Sequence, residues 1–464
     1  MNESEKTLLK KQNKMGVVPI PRLLFSMSLP AIISMLIQSM YNVVDSIFVA
    51  HVGEEALTAV SLAFPIQILI ISCFVGMGVG INSSIARRLG EGKKEEAANV
   101  AEHGFIIAVI LSVALAIIGV LISEKFISLF TDNPLIISQG RDYLVIVTLF
   151  CFGSIITQAA FATLQGSGEM IKPMIGQIMG AVCNIILNPI MVFGLLGFPA
   201  LGVTGSAIAT VTGQIIGMIY MLIVVFKGKR NLLKLNFKVF HYHSTIIKDI
   251  IVVGLPAAVM QGLGSVMITG YNLILATFGM SAVAVFGVYF KLQSFIFMPI
   301  FGLGQGAMPI FGYNFGAKNE ERFKQTLKVA IGAALGIMSI GTILFWAFPA
   351  QIFIPFNASP EMTAIGIHCL RSISIAFPLA GISIMISVSF QAIGKAYVSM
   401  IASFIRQMIV LLPSSYILAK IGGLDLVWYG FIISEIVCIV YEIFMYQRFK
   451  HQIFETWEPL PVIS

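Results

Sequence analysis

The residues with chemistry to offer are few and sit in apolar surroundings. In "LIQSMYNVVDSIFVA", Leu36 to Ala50, one carboxylate, Asp45, stands among oil-soluble neighbours. On a helix, Ser34, Gln38, Asn42 and Asp45 recur at spacings of four, four and three, so they form one polar stripe on an apolar rod. Such a stripe must face protein or water. A charge at membrane depth costs about 3 kcal/mol on insertion scales, and acids kept there serve ion binding or proton relay. The plainer reading of Asp45 is a structural hydrogen-bonding acid. In "CNIILNPIMVFG", Asn184 and Asn188 share a face, and Pro189 frees a backbone carbonyl one turn earlier, a group able to coordinate a cation. In "GVTGSAIATVTGQ", Ser206, Thr210 and Gln214 line one stripe. Ser and Thr also bond back to their own helix, so these gain weight only in the company of Asp45.

Other polar groups lie deep in apolar runs. Lys291 falls about ten residues into its run, roughly 15 Å by helical rise and close to the membrane midplane. It either faces a wet cavity or packs between helices against Gln293, water or carbonyls. Arg406 and Glu435 enter from opposite ends to comparable depth, which predicts an inter-helix ion pair. Gln158, Gln261, Ser265 and Asn272 lie on polar stripes and are the candidates for lining a substrate cavity. The six histidines lack metal-ligand spacing. The GxGxG runs at Gly76 and Gly302 lack the strand, turn and acid of a nucleotide site, so close helix packing explains them better. No GxxxxGK[ST] loop, HExxH or nucleophile motif is present, which argues against ATP hydrolysis and a membrane-embedded enzyme.

The elements that hold these residues follow from composition. Of 464 residues, 57% are hydrophobic and 11% charged, with a mean hydropathy of +0.92, the balance of an integral membrane protein. A helix needs roughly 20 mostly apolar residues to cross the hydrocarbon core. Twelve such runs are predicted, at 23–48, 57–84, 101–123, 138–164, 174–194 and 203–226, then 250–276, 283–308, 327–348, 366–391, 399–418 and 427–447. Unalternating apolar runs of this length fit helices and not barrel strands, so the fold class is an all-α membrane protein. The first 22 residues have no cleavable leader pattern. Of 29 Lys and Arg, 23 fall on the side holding both ends of the chain, which places both ends in the cytoplasm. That asymmetry explains the net charge of +7, so nucleic acid is not an expected partner. The five cysteines lie within predicted spans and show neither a disulfide framework nor a metal pair.

Sliding the chain along itself by 226 positions brings Leu29-Pro30-Ala31 onto Leu255-Pro256-Ala257, and the match runs without a gap to Met174 against Met400. Gly76, Gly78 and Gly80 meet Gly302, Gly304 and Gly306, while Asp45 meets Tyr271. Six spans per copy make the repeat parallel, one established transporter plan. The expected organisation is a cytoplasmic segment 1–22, a first lobe 23–226, a basic linker 227–249, a second lobe 250–447 and a cytoplasmic tail 448–464. The linker reads equally as a surface helix or an ordinary loop.

"QSMYNVVDSIFVAHVG", "NIILNP", "GVTGSAIAT" and the lobe repeat resemble the multidrug and toxic compound extrusion (MATE) transporters over nearly the whole chain. The resemblance implies a V-shaped, two-lobe, alternating-access exporter that exchanges amphipathic drugs for H+ or Na+. It implies a first-lobe cation site of Asp45, Asn184 and Thr210, here joined by Asn188, Asn42 and Gln38, with Pro30 as the hinge of the first span. The family's usual acid before Pro189 is Asn188 in this chain. The carboxylates that another branch carries in spans seven and ten are missing, which places the chain nearer the branch that couples through its first lobe. No cofactor is expected beyond the coupling ion; small amphipathic molecules and membrane lipids are the expected partners, and a monomer in a prokaryotic inner membrane the expected state. A flippase for lipid-linked sugars would share the plan but should show several cavity-facing cations, where only Lys291 is well placed.

Overall fold

The computed structural model describes residues 13–228, 231–237, 240–356 and 359–454, with the side chains of 41–43, 45–47, 50, 54, 355 and 451–454 outside that description. Among the described residues the structure is helical, with no strand. Eleven helices among the described residues are long and apolar enough to cross a membrane, and a bent pair, counted as one span, gives a twelfth. The spans are Ile20–Ala50, Glu54–Gly90, Lys94–Ser128, Pro134–Gly166, Ile171–Phe193 and Gly202–Lys227 in the first half. Those of the second half are Ser244–Ala276, Met280–Gly316, Glu320–Ala347, Pro360–Ser374 with Phe377–Ala392, Ala396–Val427 and Gly430–Phe454.

Several spans run past the boundaries that hydropathy gives, the second to Gly90 and the eighth to Gly316. A helix satisfies its own backbone in water as well as in lipid, so its end is set by caps and not by the hydrocarbon edge. The caps are legible. Asn133 accepts from Leu135 N ahead of Pro134, Ser359 accepts from Met362 N ahead of Pro360, and Asn319 accepts from Arg322 N. The tenth span bends by 45° between its two segments. In the eleventh, Ile405–Leu411 widens into a π-turn just before Pro413. Proline has no N–H for the carbonyl four residues back, and a π-turn re-routes the neighbouring bonds around that gap.

The described residues form two compact units. One holds 33–89 and 93–258; the other holds 13–32, 90–92 and 259–454. The repeat boundaries at 226 and 250 therefore differ from the packing boundaries, which cut through the first and seventh spans. In the first-named unit, a Cβ on Gly76 would meet the Gly254 carbonyl and Ala258, and one on Gly80 the Ile250 carbonyl. In the other, a Cβ on Gly302 would meet the Ile32 backbone, and one on Gly306 would meet Ser28. Each repeat's second span is thus pressed against a segment of the other repeat's first span, at equivalent positions. The glycines admit that approach because nothing projects from them.

The described residues of the linker up to His243 form an irregular loop, and the seventh span begins at Ser244. It is fastened to the third span: Asn236 N donates to Glu102 Oε1 at 2.7 Å, and His243 N donates to His103 Nε2 at 3.0 Å. Arg88 reaches Asp249 at 2.7 Å. Gly76→Ala is expected to lower the stability of the detergent-purified protein by about 1–3 kcal/mol through overpacking. Gly262→Ala, whose added methyl meets open space, should cost nothing measurable in the same thermal unfolding assay.

Candidate functional site

The fifth and sixth spans are joined by small residues before they are joined by polar ones. Gly213 lies against the Gly180 carbonyl and Asn184 Cβ, and Gly205 against the backbone of Met191. That proximity sets the side chains beside them in register. Asn184 Nδ2 donates to Thr210 Oγ1 at 3.1 Å. Asn184 is 2% exposed and Asn188, one turn on, 0%; Ser206, one turn before Thr210, is fully buried as well. Asn184 Oδ1 has no hydrogen-bond partner among the described residues. Leaving an amide oxygen dry costs about 1–3 kcal/mol, so a buried oxygen in this position is a group waiting for a donor or a cation. Pro189 adds to the acceptors, since it has no N–H for the Ile185 carbonyl.

The first span supplies the third wall. Gln177 Nε2 donates to Gln38 Oε1, and the rings of Phe48 and Phe193 meet at 6.1 Å. With three crossings between them, the first and fifth spans run in the same direction. The two contacts bracket the backbone of Asp45, seven residues and about 10 Å of helical rise beyond Gln38, to the Asn184–Asn188 stretch. An independent marker agrees. Val52 lies at Gly202, where the sixth span begins in the opposite direction. Counting seven residues back to Asp45 and eight forward to Thr210 reaches one depth, within about one residue's rise of 1.5 Å. The side chains of Asp45 and Asn42 lie outside the described residues. Gln177, the partner of Gln38, is the member that periodicity alone did not single out; its seven-residue spacing from Asn184 is the signal that finds it.

The position equivalent to Asp45 in the second repeat has a different environment. Tyr271 is fully buried, its hydroxyl donates to the Val427 carbonyl at 3.1 Å, and its ring packs with Phe286, Trp428 and Phe431. It is a satisfied aromatic in a closed cluster, so the two halves share a scaffold and differ in chemistry.

The residues expected to line a cavity divide between the units. Gln158 is half-buried against Gly78 in the unit that holds the Asn–Thr group. Gln261 is exposed and Ser265 and Asn272 half-buried on the seventh span, in the other unit with Lys291. Asn272 Oδ1 has no hydrogen-bond partner among the described residues. Lys291 is exposed and makes no ion pair among them. Arg406 Nη1 stands 3.4 Å from Glu435 Oε1 in a nearly dry setting, with side-chain exposures of 23% and 10%. The same face of the twelfth span carries Glu442, fully buried beside the tenth span. It escapes a reading of the sequence because it falls within two turns of a basic, polar helix end. Pro30 lies inside a continuous helix, and the chain passes from one unit to the other after Ile32. Its repeat equivalent, Pro256, stands at the same remove from the change after Ala258.

The MatE family model matches residues 30–190 and 256–417, the two repeats. The multidrug export protein MepA of Staphylococcus haemolyticus is 27% identical over 427 residues, covering 92% of this chain and 93% of that one. A protein of Shewanella oneidensis called an FAD transporter is 25% identical over 418 residues, covering 89% and 92%. Among solved structures, an outward-facing multidrug resistance MATE transporter of the MOP superfamily matches with a TM-score of 0.90 at 27% identity, covering 96% of this chain and 99% of that one.

Removing one partner of a buried ion pair leaves an uncompensated charge and costs about 3–5 kcal/mol. Arg406→Met should therefore lower the unfolding temperature in detergent, and adding Glu435→Leu to it should recover most of the loss.

Proposed function

The chain belongs to the MatE family, whose members are membrane transporters and not enzymes, and on that premise we propose that it is a secondary antiporter that exports small amphipathic organic cations in exchange for H+ or Na+. It is a multi-pass membrane protein, and its bacterial relatives point to the cell membrane. The Lys and Arg asymmetry supports both ends facing the cytoplasm. The observation that carries the reading is the register: the backbone of Asp45 comes to the depth of Asn184, Asn188 and Thr210, where Asn184 Oδ1 is buried with no partner among the described residues.

One carboxylate ringed by neutral amide and hydroxyl oxygens suits a proton or a hard monovalent cation. Asn188, in place of an acid, keeps the charge of the set at minus one when empty and zero when filled. Empty, the site attracts a cationic drug; filled, it does not. Competition follows from charge neutralisation and needs no contact between ion and drug. An uncompensated carboxylate at membrane depth costs about 3 kcal/mol, a factor of roughly 100 in an equilibrium constant. Turning a two-state protein over from 1:99 to 99:1 takes about 5.5 kcal/mol. The ion therefore supplies about half the bias and the differential binding of substrate the rest. Pro30 and Pro256, each two residues before the chain changes unit, are the positions where the first and seventh spans would flex.

A second reading keeps the fold and the coupling but makes the cargo anionic. Lys291, exposed near mid-depth and without an ion pair among the described residues, favours it, and the relative called an FAD transporter gives the class a precedent. Efflux of a fluorescent organic cation from vesicles, with Na+ and pH gradients imposed separately, tests both. The wild type should pump under one of the two gradients, and Asp45→Asn should lose most of that transport while still folding. If Asp45→Asn pumps against the dye gradient as well as the wild type, the coupling role is wrong.

A further inference from the structure

The twelfth span places Glu435, Cys438 and Glu442 at spacings of three and four, on one face. That face packs on the second segment of the tenth span and on the π-turn of the eleventh, all within one unit. Two carboxylates and one cation are thereby enclosed together. Arg406 sits within the π-turn and takes Glu435 at 3.4 Å. Glu442 is 0% exposed. Its Oε1 accepts from Ser387 Oγ at 2.6 Å, and its Oε2 is buried with no hydrogen-bond partner among the described residues. Glu435 Oε2 and the Gln407 Oε1 of the π-turn are in the same condition.

The groups that face Glu442 can be named element by element. The tenth span offers Ser387 and Ser383, the latter also touching Cys438 Sγ at 3.4 Å. The eleventh offers Arg406. Its own helix offers Glu435, Cys438 and the neighbouring Tyr441. Only one of these is a cation, and it is already engaged by Glu435. If both acids were ionised, the enclosure would hold a net charge of minus one, with a bare carboxylate oxygen facing a dry wall. Burial disfavours the charged form of an acid, and an arginine shared between two acids can neutralise one of them.

We propose that Glu442 is a proton-binding site of this unit, separate from Asp45. The proton comes from water and sits on Oε2, while Oε1 keeps the hydroxyl of Ser387. With it, the enclosure is neutral: one ion pair and one carboxylic acid. The tenth span that holds Ser387 is the span bent by 45°, and Ser399 Oγ of the eleventh span donates to the Ser387 carbonyl at 2.8 Å. Any movement that separates the tenth span from the twelfth would remove Ser387 and admit water, and the acid would then release its proton. The site is a carboxyl–hydroxyl pair and not a cage, because the neutral oxygens offered to Glu442 are the hydroxyls of Ser387 and Ser383, and the Arg406 guanidinium in the same enclosure disfavours a second cation.

Infrared spectroscopy of the full-length protein in lipid nanodiscs, titrated through neutral pH, reads the proton directly. The wild type should show the carbonyl stretch of a protonated carboxyl at neutral pH. Glu442→Gln, nearly isosteric and still able to meet Ser387, should lose that band. Ser387→Ala should keep the band and displace it, since the acid loses its hydrogen bond; this variant decides the matter if Glu442→Gln fails to fold. Asp45→Asn should leave the band in place, so the outcome does not depend on the coupling role given to Asp45. A wild type with no such band, or a band unchanged in Glu442→Gln, would overturn the proposal. So would a band that appears only when Na+ is replaced by choline, since the site would then be a cation site.

Discussion

Hydrocarbon offers nothing to a polar atom, so every oxygen or nitrogen at membrane depth must be answered from within the chain. That constraint organises both polar regions of the molecule. On the fifth and sixth spans it is met incompletely: Asn184 gives an amide hydrogen to Thr210 and leaves its oxygen without a partner among the described residues. The proposed ion exchange would need such an incomplete set, because a fully satisfied set would have no place for an ion. Around Tyr271, at the equivalent point of the second repeat, the constraint is met in full by a backbone carbonyl and a ring cluster. The same scaffold position therefore carries a carboxylate, Asp45, in one half and closed aromatic packing around Tyr271 in the other.

The repeat explains how the scaffold can be shared. Glycines at 76 and 80 and at 302 and 306 press the second and eighth spans onto backbone of the seventh and first. These contacts tie segments of each repeat into the unit formed mostly by the other, which is why the packing boundaries cut across two helices instead of following the linker. The prolines 30 and 256 stand just ahead of those cuts. A proline inside a continuous helix lets that helix flex without breaking a backbone hydrogen bond beyond the one proline already lacks.

Much of this was legible in the sequence, for identifiable reasons. Twelve runs of apolar residues mark spans because the bilayer sets their length. The registered glycines betray close packing because no other residue fits there. The polar stripes show that Asn184 and Thr210 must point at protein or water, and the family resemblance is what put the two in one site. Other features were hidden. Gln177 belongs to a pair that depends on which helices are neighbours, and periodicity within one helix cannot supply that. Glu442 sits close enough to a charged helix end to pass for a solvated residue until the tenth span is seen covering it. The unit boundaries are long-range packing facts with no local mark beyond the two prolines. The linker's aromatic and basic residues fit a surface helix as well as a loop; its described residues form a loop, tied down by the bond of Asn236 N to Glu102 and that of His243 N to His103.

The most direct measurement of the central claim is the affinity of the purified protein for a fluorescent organic cation as a function of ion concentration, with pH varied at fixed Na+ and Na+ at fixed pH. If one carboxylate exchanges one ion for one drug, the logarithm of the affinity should fall with the logarithm of one ion's concentration at a limiting slope of one, and the dependence should vanish in Asp45→Asn. An affinity that ignores both ions, or a slope that survives the loss of Asp45, would contradict it.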